Sequence, residues 1–248
     1  MPAWTGVRGF VDLHSHALHA LDDGPASLEE SVALAAAAWR AGTAALIATP
    51  HLSFRHAYDV HKARRRMAEL EGRLPAGMSL FRGCELELND AALRAFRSDP
   101  RAYSINGSRR MLVELPPRAF LPSVERALLA LLDEGFQPIV AHPERNSQIA
   151  SQLGRLAEWA RRGCFTQVTA SALTGGLGRR LRSVAEELLR EGLVDFVASD
   201  AHDSLRRGPR LIEAYRAVAE AVGLGVAARL FTYNPLAVLH DETVERLI

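Results

Sequence analysis

Nine side chains able to hold a metal ion stand along the chain: His14, His16, Asp23, His51, Glu85, Glu114, His142, Asp200 and His202. Two of them form the alternation His14-Ser15-His16, which in an extended segment turns both imidazoles to one side. An HxH pair alone is weak, and a single buried histidine is more often a core residue satisfied by its neighbours. Five imidazoles and four carboxylates gathered in one place are a different matter. Four carboxylates sharing a pocket repel one another or take up protons unless cations stand between them. Mixed imidazole and carboxylate donors suit Zn, Mn or Fe.

Other routes to hydrolysis lack their residues. A cysteine-dependent phosphatase needs Cys, five residues, then Arg; six positions after Cys84 stands Asp90, and six after Cys164 stands Ala170. Both cysteines read as small core residues. No Gly-x-Ser-x-Gly elbow, P-loop or dinucleotide fingerprint occurs. The other four histidines have plainer readings. His19 lines a loop, His56 and His61 lie on a solvated loop and helix face, and His240 is structural. The run Arg64-Arg65-Arg66 is a solvated helix face.

The elements that must position the nine ligands follow from the apolar runs. Gly9–Leu13, Ala44–Thr49, Leu80–Cys84, Met111–Leu115, Pro138–Ala141, Phe165–Thr169 and Asp195–Ala198 read as buried strands. Helices are expected at Ser27–Ala41, Ser123–Glu134, Gln152–Arg162 and Arg179–Arg190, with Gly42, Gly135, Gly163 and Gly192 as their stops. Ser27-Leu-Glu-Glu30 forms a capping box. Strands alternating with helices imply a parallel sheet with right-handed crossovers. The expected fold is a seven-stranded (β/α) barrel, and the alternative is a doubly wound open sheet. Ligand-type residues end six of the seven strands, which favours the barrel, because all those ends emerge on one face. Only the strand running into Val168-Thr-Ala-Ser171 has no obvious ligand.

Composition bounds the remaining choices. The 248 residues carry 30 basic and 29 acidic side chains and are 48% hydrophobic, which excludes a disordered chain. The near-zero balance argues against bulk binding of nucleic acid. No apolar stretch is long enough to span a membrane. Met1–Phe10 lacks a basic then apolar leader pattern, and two cysteines make no disulfide framework, so a cytoplasmic location is expected. Lys62 is the only lysine.

The motifs also carry a family resemblance over about residues 10 to 240. Asp12-Leu-His-Ser-His16, Leu21-Asp-Asp-Gly-Pro25, Ala48-Thr-Pro-His51, Gly83-Cys-Glu85, Ala141-His-Pro-Glu-Arg145, Val168-Thr-Ala-Ser-Ala-Leu-Thr-Gly175, Ser199-Asp-Ala-His202 and Asn234-Pro235 resemble the PHP (polymerase and histidinol phosphatase) superfamily. More narrowly, they are similar to the CpsB/YwqE-type bacterial tyrosine-protein phosphatases.

The resemblance implies a distorted (β/α)7 TIM-like barrel, one catalytic domain over residues 1–248, and three divalent ions, Mn²⁺ first with Fe or Zn as alternatives. By motif position His14, His16, Glu85 and Asp200 would hold one ion. Glu85 would share a second with Glu114 and His142, and Asp23, His51 and His202 would hold the third. Asp22 is the rival for Asp23, with orientation of a histidine as its other role; Asp12 would likewise stand behind the ligands. Arg145 and Arg207 would hold phosphate by bidentate hydrogen bonds; Arg207 stands with Arg206 and Arg210 in Leu-Arg-Arg-Gly-Pro-Arg, where a surface charge is the other reading.

Three divalent ions against four carboxylates leave a surplus of about two positive charges, which attracts a phosphate dianion. A metal-bridging hydroxide would be the nucleophile, and Asp200 would contribute a proton to the leaving phenolate. The implied substrate is phosphotyrosine in the Tyr-rich tail of a bacterial tyrosine kinase that controls capsule or exopolysaccharide synthesis. The alternative is a small phosphomonoester such as histidinol phosphate or a sugar phosphate. The divergent segment Leu52–Lys62 bears on that choice.

Overall fold

The computed structural model describes residues 9–116 and 121–246. Met1–Arg8, most of the segment read above for a leader, lie outside the described residues. The strands are β1 (Phe10–Ser15), β2 (Thr43–Ala48), β3 (His51–Leu52), β4 (Ser79–Arg82), β5 (Glu85–Glu87), β6 (Arg110–Glu114), β7 (Gln137–Ala141), β8 (Phe165–Thr169) and β9 (Phe196–Ala198). All pairings between them are parallel, in the orders β1-β2-β4 and β3-β5-β6-β7-β8-β9.

Nine short strands replace the seven expected because two of them bend. Pro50 has no N–H to continue the ladder, so the second strand breaks between Ala48 and His51. Its neighbour breaks at Gly83-Cys84. The pairing carries across both bends through Gly83 N–H to Ala48 O (2.8 Å) and Glu85 N–H to Pro50 O (3.1 Å). A side chain at position 83 would meet Thr49 Cγ2 at 2.9 Å and Ile47 Cγ2 at 3.2 Å, so only glycine fits this crossing. The ring is joined at its other seam by a bridge between Ser15 and Ala201, with Asp200 N–H to His14 O at 2.9 Å. Counting each bent pair as one strand gives the distorted seven-stranded barrel.

Alternate strand residues face two layers. Val11, Leu13, Ile47, Leu112, Ile139, Phe165 and Phe196 form the inner cluster. Helix Asn234–Leu239 adds Leu236 and Val238 to it, and Asn234 Nδ2 donates to Asp195 O (2.9 Å) at the start of β9. Val113, Val140, Val168 and Val197 pack outward against Trp159, Leu188 and Phe231. The register of β1 slips between Asp12 and Ser15. Leu13 therefore joins the inner cluster while the next residue, His14, turns to the site, the re-aiming that a bulge provides.

The four helices expected are present as Leu28–Arg40, Leu121–Asp133, Leu153–Arg162 and Arg179–Arg190. Their four glycine stops take φ between 71° and 116°. Ser27 caps the first through its Oγ (Glu30 N, 3.3 Å), but Glu30 reaches back to Ala26 N (2.7 Å) rather than to Ser27. Val60–Glu71, Asp90–Ser98 and Leu211–Val222 are further helices. Among the described residues no helix is long and apolar enough to cross a membrane.

Candidate metal centre

β1 and the residue after it carry two fully buried imidazoles, and Glu85 at the start of β5 and Asp200 just past β9 bring carboxylates to them. His14 Nε2 and His16 Nε2 stand 3.2 Å apart. Each is 3.2 Å from Glu85 Oε2 and 3.3 Å from Asp200 Oδ1. Donors about 2.0–2.2 Å from a shared ion stand about 3–3.5 Å apart in tetrahedral or octahedral arrangements. These four donors fit that spacing.

The outer partners decide which ring nitrogen faces inward. His14 Nδ1 faces Gln167 Oε1 at 2.9 Å, and His16 Nδ1 faces Asp22 Oδ2 at 2.7 Å. His202 Nδ1 faces the backbone oxygen of Asp200 at 2.9 Å. Each partner only accepts, so each Nδ1 carries a proton, and in the neutral ring each Nε2 then presents a lone pair to carboxylate oxygens. Acceptors facing acceptors in a buried site call for a cation between them. Consistent with this, Glu85 Oε2, His51 Nδ1 and His202 Nε2 are buried and make no hydrogen bond.

Two further donor groups share members with the first. His16, Asp23, His51 and His202 converge, with His202 Nε2 3.2 Å and His51 Nε2 3.7 Å from Asp23 Oδ1. His51, Glu85 and Glu114 form another, with His51 Nδ1 3.1 Å from Glu85 Oε2 and 3.8 Å from Glu114 Oε2. The resemblance implied His142 in this place. Its Nε2 instead meets the other Glu85 oxygen, Oε1, at 2.8 Å, so it joins through the bridging carboxylate. Burial, reinforced by the Glu85 charge, pushes the Glu114 carboxyl up to about 7. Two carboxylates this close ionise together only where a cation stands between them.

Asp22 orients ligands, and its neighbour Asp23 faces the donors. Asp22 Oδ2 accepts from His16 Nδ1 and from His51 N (2.9 Å), and Oδ1 accepts from Gly24 N (3.0 Å). Burial would raise its carboxyl, but His16 and these N–H groups outweigh it and hold it at about 2. Asp12 sits further back, accepting from Ser199 N (2.9 Å) and Oγ (2.5 Å), and burial lifts it to about 6.

Both expected arginines reach the ligands. Arg145 Nη2 lies 2.5 Å from Asp200 Oδ2, and Arg207 Nη1 lies 3.0 Å from Asp23 Oδ2. Burial opposes ionisation of Asp200, but His14, His16 and Arg145 hold its carboxyl well below the ordinary range. His142 and Asp200 take φ of 32° and 51°, a backbone strain that non-glycine residues carry at constrained sites.

Of the remaining histidines, His56 departs from its surface reading: its ring stacks on His51 with centroids 5.6 Å apart. His61 lies in the first turn of helix Val60–Glu71. His19 pairs with Glu69 at 3.1 Å. Both cysteines are free and buried, and burial pushes the thiols up, Cys164 to about 12. Gln167 is the functional residue the sequence reading missed. A glutamine facing inward in the buried run Phe-Thr-Gln-Val-Thr was the available signal.

A parallel seven-stranded α/β barrel whose strand ends gather carboxylates, lone-pair imidazoles and two arginines defines a metal-dependent hydrolase of anionic substrates. The chain belongs to the CpsB/CapC family of capsular polysaccharide synthesis, whose family model matches residues 10–240. It is 33% identical over 201 residues to a putative tyrosine-protein phosphatase, CapC of Staphylococcus aureus, covering 79% of this chain and 78% of that one. It is 30% identical over 249 residues to the tyrosine-protein phosphatase YwqE of Bacillus subtilis, covering 95% and 94%. A crystal structure from work on YwqE of Bacillus subtilis and CpsB of Streptococcus pneumoniae, described as metal-dependent tyrosine phosphatases, superposes with a TM-score of 0.88 at 29% identity, over 95% and 96% of the chains.

Proposed function

We propose that this protein is a metal-dependent phosphotyrosine-protein phosphatase. Its substrate is the phosphotyrosine-bearing tail of a bacterial tyrosine kinase that controls capsule or exopolysaccharide synthesis, in the cytoplasm, and residues 1–248 act as one catalytic domain. The observation that carries this reading is the overlap of the three donor groups through Glu85, His16 and His51, flanked by Arg145 and Arg207. The naming of the relatives supports the phosphotyrosine substrate.

His14, His16, Asp23, His51, Glu85, Glu114, His142, Asp200 and His202 would hold three divalent ions, Mn²⁺ first. When bound, such ions supply Lewis acidity to phosphoryl oxygens and lower the pKa of water toward neutrality. The chain's own residues do the rest. Gln167, Asp22 and the Asp200 carbonyl fix the tautomers of His14, His16 and His202. Arg145 and Arg207, held against Asp200 and Asp23, present guanidinium groups to a phosphate monoester and orient it by charge-assisted hydrogen bonds. The strained backbone at His142 and Asp200 keeps these groups in place before substrate arrives.

Metal-loaded protein assayed on a phosphotyrosine peptide and on histidinol phosphate tests the reading. A higher kcat/KM on the peptide is expected. A much higher value on the small ester would select a small-molecule phosphatase instead.

A further inference from the structure

The strand that ends without a metal ligand borders a second feature. Between the C-terminal ends of β8 and β9 lies a cavity of about 140 Å³, lined by Thr169, Arg145, Asp200, Arg206, Arg207 and Arg210 among others. It has the space of about four or five waters. Four guanidinium groups face it, against one carboxylate, Asp200, which Arg145 already engages. Arg207 is likewise tied to Asp23. Arg206 and Arg210 are exposed, and neither pairs with a carboxylate among the described residues. At the cavity wall Thr169 is 1% exposed, and its Oγ1 makes no hydrogen bond, although its N–H is satisfied by Glu144 Oε1 at 2.9 Å. The cavity wall thus carries a buried hydroxyl without a partner beside two arginines that no carboxylate engages, a lining that suits an anion.

We propose that this cavity is an anion subsite, beside the metal centre, for an acidic group that the substrate polypeptide carries next to its phosphotyrosine. This rests on the phosphotyrosine reading above and extends it to the sequence around the scissile group. A side-chain carboxylate and a second phosphotyrosine share the required chemistry. Arg206 and Arg210 donate to the anion, Thr169 Oγ1 donates from the wall, and the gain falls on KM because the anion does not react.

Three phosphotyrosine peptides of equal length test it: one with neutral neighbours, one with Asp and Glu neighbours, and one with a neighbouring second phosphotyrosine. Initial phosphate release would be followed with metal-loaded protein. The acidic peptides are expected to show kcat/KM about tenfold above the neutral one, through KM, the scale of one charge-assisted hydrogen bond. Whichever acidic peptide gains more identifies the source of the anion. The Arg206→Ala/Arg210→Ala variant should keep kcat/KM on the neutral peptide within about twofold while the acidic advantage collapses. Thr169→Val, which removes only the hydroxyl, should reduce that advantage severalfold. Equal kcat/KM on all three peptides, or an advantage that survives in the double variant, would overturn the subsite. Release from none of them would defeat the phosphotyrosine reading itself, so the two failures are distinct.

Discussion

Replacing Asp22 with asparagine isolates what a residue that touches no substrate does for the centre. The carboxylate accepts three hydrogen bonds, from His16 Nδ1 at 2.7 Å, His51 N at 2.9 Å and Gly24 N at 3.0 Å. Asparagine has one carbonyl oxygen. Placed where Oδ2 stands, it keeps the first two and turns its NH₂ against the Gly24 N–H. Placed the other way, it abandons His16. Loss of one buried acceptor costs about 1 kcal/mol, and conversion of the His16 bond from charged to neutral costs about 1 more. The total of about 2 kcal/mol is roughly 30-fold in affinity, within the range usual for groups that orient metal ligands.

Calorimetric titration of chelator-stripped Asp22→Asn with Mn²⁺ should show that weakening, with a native circular dichroism spectrum. Saturating metal should recover most of kcat. Affinity within twofold of wild type would refute the reasoning that Asp22 holds His16 in its metal-binding tautomer.

Gln167→Leu should act similarly through His14, lowering metal affinity about tenfold by the same titration, because His14 Nδ1 loses its acceptor at 2.9 Å. Gly83→Ala should destabilise by about 1–3 kcal/mol, since its Cβ meets Thr49 Cγ2 at 2.9 Å; a thermal melt lowered by several degrees would show it, and an unchanged melt would contradict the close crossing. Asp195 is pushed up to about 6 by burial, with Arg246 opposing. Its folded form binds a proton more tightly than its unfolded form, so its contribution to stability is present below about pH 4 and is lost as pH rises through about 6. The unfolding free energy of wild type relative to Asp195→Asn should therefore fall by about 2–3 kcal/mol between pH 4 and pH 7; a difference that stays constant would sink this assignment.

What could be read in the sequence was whatever is local. Apolar runs located the strands, and the position of His14, Glu114, His142 and Asp200 at or just past their ends followed directly, whereas Glu85 opens the short strand beyond the bend. Ser27 and the glycine stops marked helix ends because capping is a property of a few adjacent residues. The bends at Pro50 and Gly83 depend on how neighbouring strands cross, and a run of apolar residues does not reveal that. Gln167 reaches His14 across 153 residues of chain, and His56 meets His51 only because the intervening loop turns back. Asp22 and Asp23 were separated only when the loop placed one beneath His16 and the other beside His202. The divergent segment Leu52–Lys62 runs into a helix whose first turn is capped by Asp59, a role no family motif marks.

Phosphate release from a phosphotyrosine peptide by chelator-stripped, Mn²⁺-reconstituted and thiol-alkylated protein, with bound metal counted in each, bears most directly on the metal mechanism. Stripping should abolish turnover, Mn²⁺ should restore it as the bound metal approaches three ions per chain, and alkylation should leave it unchanged because Cys84 and Cys164 are buried. Turnover that survives complete removal of metal, or that is lost when only thiols are blocked, would contradict the account.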